Sequence, residues 1–229
     1  MLFRSQIFGL GLGVLQWITT GYLLAVAITI TLGATLAHNW TERRILFTSL
    51  AIFSLGNLIA TLAPDFTFLM IGRILQGGAT GIAMPLMFNL IVERIPRKNI
   101  GLFMGLSGLV ISLAPAIGPT YGGYMIASFD WHMIYTCILP VPIISFLLAY
   151  FNLQNSTGKS KRPFDVLGFL SLAVALSFSL MTISSLEEGA SVNWLYLAVF
   201  LLSFAFFIWR SLTVQHPFLD SAKDRKSVV

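Results

Sequence analysis

The sequence predicts an all-α fold, a polytopic bundle of transmembrane helices with about seven membrane spans. Three observations point there. Hydrophobic residues make up 56% of the 229 and charged residues only 10%, against roughly 25% charged in soluble domains. The apolar residues fall in runs long enough to cross a bilayer core of roughly 30 Å, which takes about 20 residues of helix. Basic residues gather in alternate connections, as they do when loops alternate between two sides of a membrane.

The spans, in order, are 14–37, 45–63, 66–92, 100–127, 131–152, 166–186 and 193–213. They are continuously apolar, whereas barrel strands need about 10 alternating residues, so a closed barrel is excluded. "APD" at 63–65 and "SFD" at 128–130 are tight turns, where Pro and Asp favour chain reversal. The longest polar segment, "NLQNSTGKSKRPFD" at 152–165, marks the internal boundary. The expected organisation is five spans over 1–152, a linker at 153–165, a helix pair at 166–213 and a tail at 214–229.

Charge fixes the expected orientation. Arg43 and Arg44 follow the first span, Arg94, Arg97 and Lys98 the third, and Lys159, Lys161 and Arg162 the fifth. Arg210, Lys223, Arg225 and Lys226 close the chain, so twelve of the 14 Lys and Arg share one side. Asp65, Asp130, Glu187 and Glu188 occupy the intervening turns. The positive-inside rule makes the basic side cytoplasmic, with the N-terminus outside and the C-terminus inside a plasma membrane. The net charge of +5 is thereby read as topogenic, and no nucleic-acid partner is expected. "MLFRSQIFGLGLG" shows no cleavable signal, and an outside N-terminus before an odd number of spans suggests a helix upstream.

Two stretches inside the membrane stand out. In "GRILQGGATGIAMP", 72–85, Arg73, Gly77, Gly81 and Pro85 recur every four residues and form one helix stripe. An arginine at mid-span costs about 2.5–3.5 kcal/mol on insertion scales and usually faces a bundle interior or aqueous cavity. Gln76, one turn away, is expected to share its polar pocket, while snorkelling to the surface is the bland alternative. Arginine stays protonated, so its expected role is to tune a carboxylate or polarise water near a proton path.

In "SLAPAIGPTYGGYM", 112–125, helix breakers crowd a full span. Gly101, Gly105, Gly108, Ser112, Pro115, Pro119 and Gly122 share one face. Small residues there suit close approach of another helix, and the prolines suit a bend. Spacing alone leaves open whether the stripe does more than pack. "LAHNWTERR", 36–44, reads from its residues as a basic topogenic turn.

Taken in order, these motifs resemble the major facilitator superfamily, most closely its fourteen-helix drug:proton antiporter branch. "RILQGGATG" is similar to the family's fourth-helix motif at Arg73, Gln76, Gly77 and Gly78. The 105–123 stretch resembles the antiporter motif at Gly105, Gly118, Pro119, Gly122 and Gly123, with Ala114 replacing its second glycine. "LQWITTGYLLA", 15–25, is similar to the start of that branch's second helix. "PFDVLG", with Asp165 and Gly168, resembles the entry to its extra helix pair, and "HPFLD", 216–220, the approach to the C-terminal half. The gating motif is degenerate: Leu36, Arg43 and Arg44 remain, while Ala34, His38, Asn39 and Thr41 replace the first glycine, aspartate, arginine and second glycine. His132, after Trp131, stands where the family often has arginine.

The resemblance implies a partial major-facilitator fold, the second through eighth of fourteen helices. It implies proton-coupled efflux of drugs or other lipophilic or cationic small molecules, with lipid, substrate and protons as partners. The 105–123 helix would then govern closure. A carboxylate of the family's first helix, and a second six-helix half, would lie outside this chain. Gln16, Thr20, Tyr22, Asn57 and Asn89 are candidate cavity residues, with inter-helical hydrogen bonding as their other reading.

Other readings are a truncated inactive fragment, one half of a split transporter, or a seven-helix receptor. The receptor reading matches the span count, but 193–213 lacks a Schiff-base lysine. His38, His132 and His216 lie near span ends without paired acids or metal spacing, so no enzyme, metal or cofactor is expected. With Cys137 alone, no internal disulfide is possible.

Overall fold

The structure, a computed structural model, describes residues 12–153, 164–187 and 193–213. The side chains of residues 12–15, His38 and Glu187 are not among those described. Arg4, most of the 153–165 linker and the tail with its "HPFLD" stretch lie outside the described residues. The chain divides into two compact units, Met1–Gly158 and Lys159–Val229.

In the first unit α1 (Leu12–Asn39) contains no proline. Its threonines turn their hydroxyls back on the helix, Thr29 donating to the Ala25 carbonyl at 2.6 Å and Thr31 to Ile28 at 2.7 Å. This satisfies polar groups where lipid offers no partner. Helix α2 (Glu42–Thr61) starts on Thr41, whose hydroxyl accepts the Arg44 amide at 3.3 Å. Helix α3 (Phe66–Arg94) starts on Asp65, whose Oδ1 accepts the Thr67 and Phe68 amides at 2.9 and 3.1 Å. After Pro96 a 3-10 turn, Arg97–Asn99, leads into α4 (Ile100–Ser128).

The fifth span is not one continuous helix. A single turn, α5 (Met133–Thr136), is separated from α6 (Pro140–Asn152) by three residues. Pro140 and Pro142 carry no N–H. The Ile138 and Leu139 amides bond three residues back, to Tyr135 at 3.1 Å and Thr136 at 3.2 Å. Counting this pair once, seven segments among the described residues are long and apolar enough to cross a membrane. The chain is a multi-pass membrane protein.

Helix α3 lies between α1 and α2, and glycine sets both crossings. A Cβ on Gly72 would stand 2.6 Å from the Gly56 carbonyl oxygen of α2. On the α1 side, a Cβ on Gly77 would stand 2.5 Å from the Tyr22 carbonyl oxygen, and one on Gly81 2.6 Å from that of Val26. Gly33 of α1 answers against the Gly81 and Ile82 carbonyls, at 2.8 Å each. These are backbone contacts, so no rotamer change relieves them. Two apolar clusters close the ends of the unit. Ile18, Ala60, Ala63, Leu69, Ile134 and Tyr135 fill the acidic end, and Ala37, Ile45, Ile82 and Leu86 the basic end.

Among the described residues, no other helix approaches the small-residue face of α4 closely. No residue of α4 is buried, and a Cβ at Gly101, Gly105, Gly108, Gly118, Gly122 or Gly123 would meet nothing within 4 Å. The helix runs on through Pro115 and Pro119 and meets the acidic-end cluster through Tyr121, Met125 and Ile126. Its small-residue face is therefore open among the described residues, and Pro115 on it is exposed.

The second unit holds α7 (Val166–Glu187) and α8 (Trp194–Thr213). Asp165 caps α7, its Oδ1 accepting the Gly168 amide at 3.1 Å, and Arg210 Nε reaches the same oxygen at 2.8 Å. A Cβ on Gly168 would stand 2.5 Å from the Asp165 carboxylate. Glycine there lets one acid cap the first helix and anchor the last turn of the second.

Candidate functional site

Arg73 is the eighth residue of α3, about 10 Å along the helix at 1.5 Å per residue. Its guanidinium lies 4.4 Å from the centre of the Tyr22 ring of α1, a cation–π contact. Nη1 donates to Gln76 Oε1 at 2.9 Å. Gln76 Nε2 then donates to Asn57 Oδ1 of α2 at 3.1 Å, and Asn57 Nδ2 donates to the Tyr135 carbonyl of α5 at 2.9 Å. Tyr22 donates its hydroxyl to Thr80 at 3.3 Å, and Thr80 donates to the Gln76 carbonyl at 2.8 Å. Asn57 is 0% and Gln76 2% exposed, so both depend on these partners.

The charge is thus held inward and does not snorkel. Each link has a local cause. Gly77 brings the α1 backbone close enough for Tyr22 to reach Arg73, and Gly56 does the same for Asn57 from α2. Tyr135 offers its carbonyl because the turn before Pro140 leaves that oxygen reachable from outside its own helix. Arg73 Nε is buried with no hydrogen-bond partner among the described residues. A buried donor of that kind is uncommon, and it marks where an acceptor is favoured.

The structure brings together four of the sequence candidates: Arg73, Gln76, Tyr22 and Asn57. It does not bring in the rest. Gln16 and Asn89 are exposed, and Thr20 makes no hydrogen bond to the network. Gly77 and Gly81 lie at the α1 crossing, while Pro85 is a partly buried proline within α3.

The 36–44 turn does more than carry topogenic charge. Glu42 is 2% exposed and pairs with Arg94, joining the first turn of α2 to the last of α3. Arg43 lies 5.3 Å from the Phe47 ring and 5.0 Å from Tyr150 of α6. Arg44 lies 4.3 Å from the Trp40 ring. Leu36 packs on the basic-end cluster. Glu42 and Arg94 were legible as opposite charges at facing helix ends, but the density of arginine there hid the acid.

Fold and site together define the class: a helical multi-pass membrane protein holding an arginine within its spans on neutral polar groups from three other helices. The chain belongs to the Major Facilitator Superfamily, whose family model matches residues 1–219. The members of this family are membrane transporters. The chain is 34% identical over 218 residues to the lincomycin resistance protein LmrB of Listeria monocytogenes, covering 94% of this chain and 46% of that protein. It is 33% identical to the MFS-type transporter YcnB of Bacillus subtilis, over 90% of this chain and 44% of the relative. Similarity to the multidrug resistance protein B homolog of Mycobacterium tuberculosis is 32% over 78% of this chain and 33% of that one. The chain spans about half the length of the curated relatives it matches.

Proposed function

We propose that the chain is the N-terminal part of a proton-coupled efflux transporter, exchanging lipophilic or cationic small molecules for protons across the plasma membrane. The observation that carries this reading is the network around Arg73. A permanent cation sits inside the spans with one buried N–H that has no partner among the described residues, and it favours an acidic or water partner that gains and loses a proton. Relatives named for lincomycin and multidrug resistance support the substrate class. In this reading the basic ends face the cytoplasm and the N-terminus lies outside. Residues 1–152 form a partial bundle, 153–165 the linker, 166–213 an extra helix pair and 214–229 a cytoplasmic tail.

A second reading makes transport depend on a further bundle. Alternating access needs two repeats rocking about a central site. The open small-residue face of α4 offers the kind of surface another helix packs against. In this reading Gly105, Gly118, Pro119, Gly122 and Gly123 act in closure, and the chain alone is inactive. Leu36, His38, Arg43 and Arg44 belong to the inner gate. The test is dye export from membrane vesicles made with this chain and the reading frames that flank it. Arg73→Ala is expected to abolish proton-driven export while the protein stays in the membrane; export at the unmutated rate would contradict the role given to Arg73.

A further inference from the structure

At the basic end, Arg43 is held where two helices reach the membrane boundary. It stands in the first turn of α2. Its guanidinium carbon lies 5.3 Å from the centre of the Phe47 ring, one turn on, and 5.0 Å from that of Tyr150, in the last turn of α6. The Phe47 ring is itself set against Phe146 of α6, centroids 4.7 Å apart. Two helices thus place rings around one cation. A ring answers the charge with its quadrupole but offers no oxygen acceptor, so the N–H groups of the guanidinium keep their hydrogen-bonding capacity.

No carboxylate among the described residues neutralises this arginine. At this end Glu42 is buried and pairs with Arg94, while Glu93 of α3 is exposed and makes no ion pair with Arg43. Arg43 makes no hydrogen bond through its side chain to another described residue, and none of its nitrogens is sealed from the surroundings. Arg44, beside it, is exposed over the Trp40 ring. Next to Tyr150 on α6, Leu147 and Phe151 are exposed within a span.

We propose that Arg43, held by Phe47 and Tyr150, binds the headgroup phosphate of an anionic phospholipid, whose acyl chains run along Leu147 and Phe151. A guanidinium gives a phosphate two parallel N–H bonds. The rings fix that guanidinium beforehand, so less side-chain freedom is lost on binding. Aromatic side chains suit the level where headgroups meet acyl chains. Arg44 selects for net charge: it disfavours a headgroup that carries its own cation, such as choline. The occupant is a lipid because the flank beside the cation is apolar, and free phosphate would leave it uncovered.

The test is native mass spectrometry of the whole chain, released from nanodiscs of phosphatidylglycerol mixed equally with phosphatidylcholine, on the monodisperse fraction of each variant. The unmutated chain is expected to retain phosphatidylglycerol over phosphatidylcholine. Arg43→Gln should lower that retention about tenfold, as loss of hydrogen bonds to a charged group does. Tyr150→Leu keeps the charge and removes a ring, and a loss of about threefold is expected. Tyr150→Phe keeps the ring and should match the unmutated chain. Arg97→Gln removes an equal charge from an exposed position in the 3-10 turn at the same end and should change retention little. Excess inorganic phosphate should leave the lipid in place.

Equal retention of the two lipids overturns the proposal, as does full retention by Arg43→Gln or Tyr150→Leu. It is equally overturned if Arg97→Gln costs as much as Arg43→Gln, if Tyr150→Phe loses lipid as Tyr150→Leu does, or if phosphate displaces the lipid. These readouts involve no transport, so failure of the efflux reading leaves them standing.

Discussion

Gly81→Val is expected to separate α1 from α3 and destabilise the first unit more than any substitution on its lipid-facing surface. Even the first added carbon would lie 2.6 Å from the Val26 carbonyl oxygen and 3.0 Å from the Ile30 amide nitrogen. Neither can step aside without moving its helix. Overpacking costs typically 1–3 kcal/mol, and backbone-to-backbone contact puts this site at about 3 kcal/mol or more. Thermal unfolding in detergent measures it. Gly108→Val is the control: its position meets nothing within 4 Å, so the chain alone should be nearly unaffected. If both variants melt together, glycine does not set the α1–α3 crossing.

Asn57→Leu is expected to give the second-largest loss, and its coupling matters more than its size. Asparagine here is fully buried and joins Gln76 of α3 to the Tyr135 carbonyl. Inter-helical hydrogen bonds within membranes average about 0.6 kcal/mol and reach about 1.7. Losing two, with Gln76 Nε2 left buried, puts the cost at about 2 kcal/mol. The informative measurement is a double-mutant cycle with Gln76→Leu. The two costs should fall short of additivity by about 1 kcal/mol, because each variant removes the same bond. Strict additivity would mean that the two amides do not act together.

The architecture was largely legible because lipid imposes a crude demand. A span must be long and apolar, and most boundaries carry Pro, Asp or basic residues that read plainly. The interruption of the fifth span was less plain, since Pro140 and Pro142 sit at the start of a helix, where proline is ordinarily tolerated. At the site, Arg73 and Gln76 were legible from cost and spacing. Tyr22 and Asn57 were legible only as polar residues within spans; which of the five candidates meet Arg73 depends on crossings set by Gly56, Gly72 and Gly77. The Tyr135 contribution is a backbone carbonyl, and no side-chain pattern announces it. Glycine patterns also misled: the stripe on α4 is as regular as that on α3, yet only the α3 stripe meets another helix within this unit. Small residues show where close approach is permitted and leave unstated what approaches.

Asp165 and Gly168 show how local chemistry lies behind a motif. Read as sequence, "PFDVLG" was only a resemblance. In the folded helix pair the aspartate caps one helix and anchors Arg210 of the other, and the glycine makes room for its carboxylate.

We propose that Arg73, held on Gln76, Asn57 and Tyr22, belongs to a proton-coupled export path. The most direct measurement is luminal pH in acid-loaded everted vesicles carrying this chain with its flanking reading frames, recorded as a lipophilic cation is added. The cation is expected to drive protons out of the lumen with the unmutated protein and to move none with Arg73→Ala at equal membrane content. Equal proton movement in the two would contradict it.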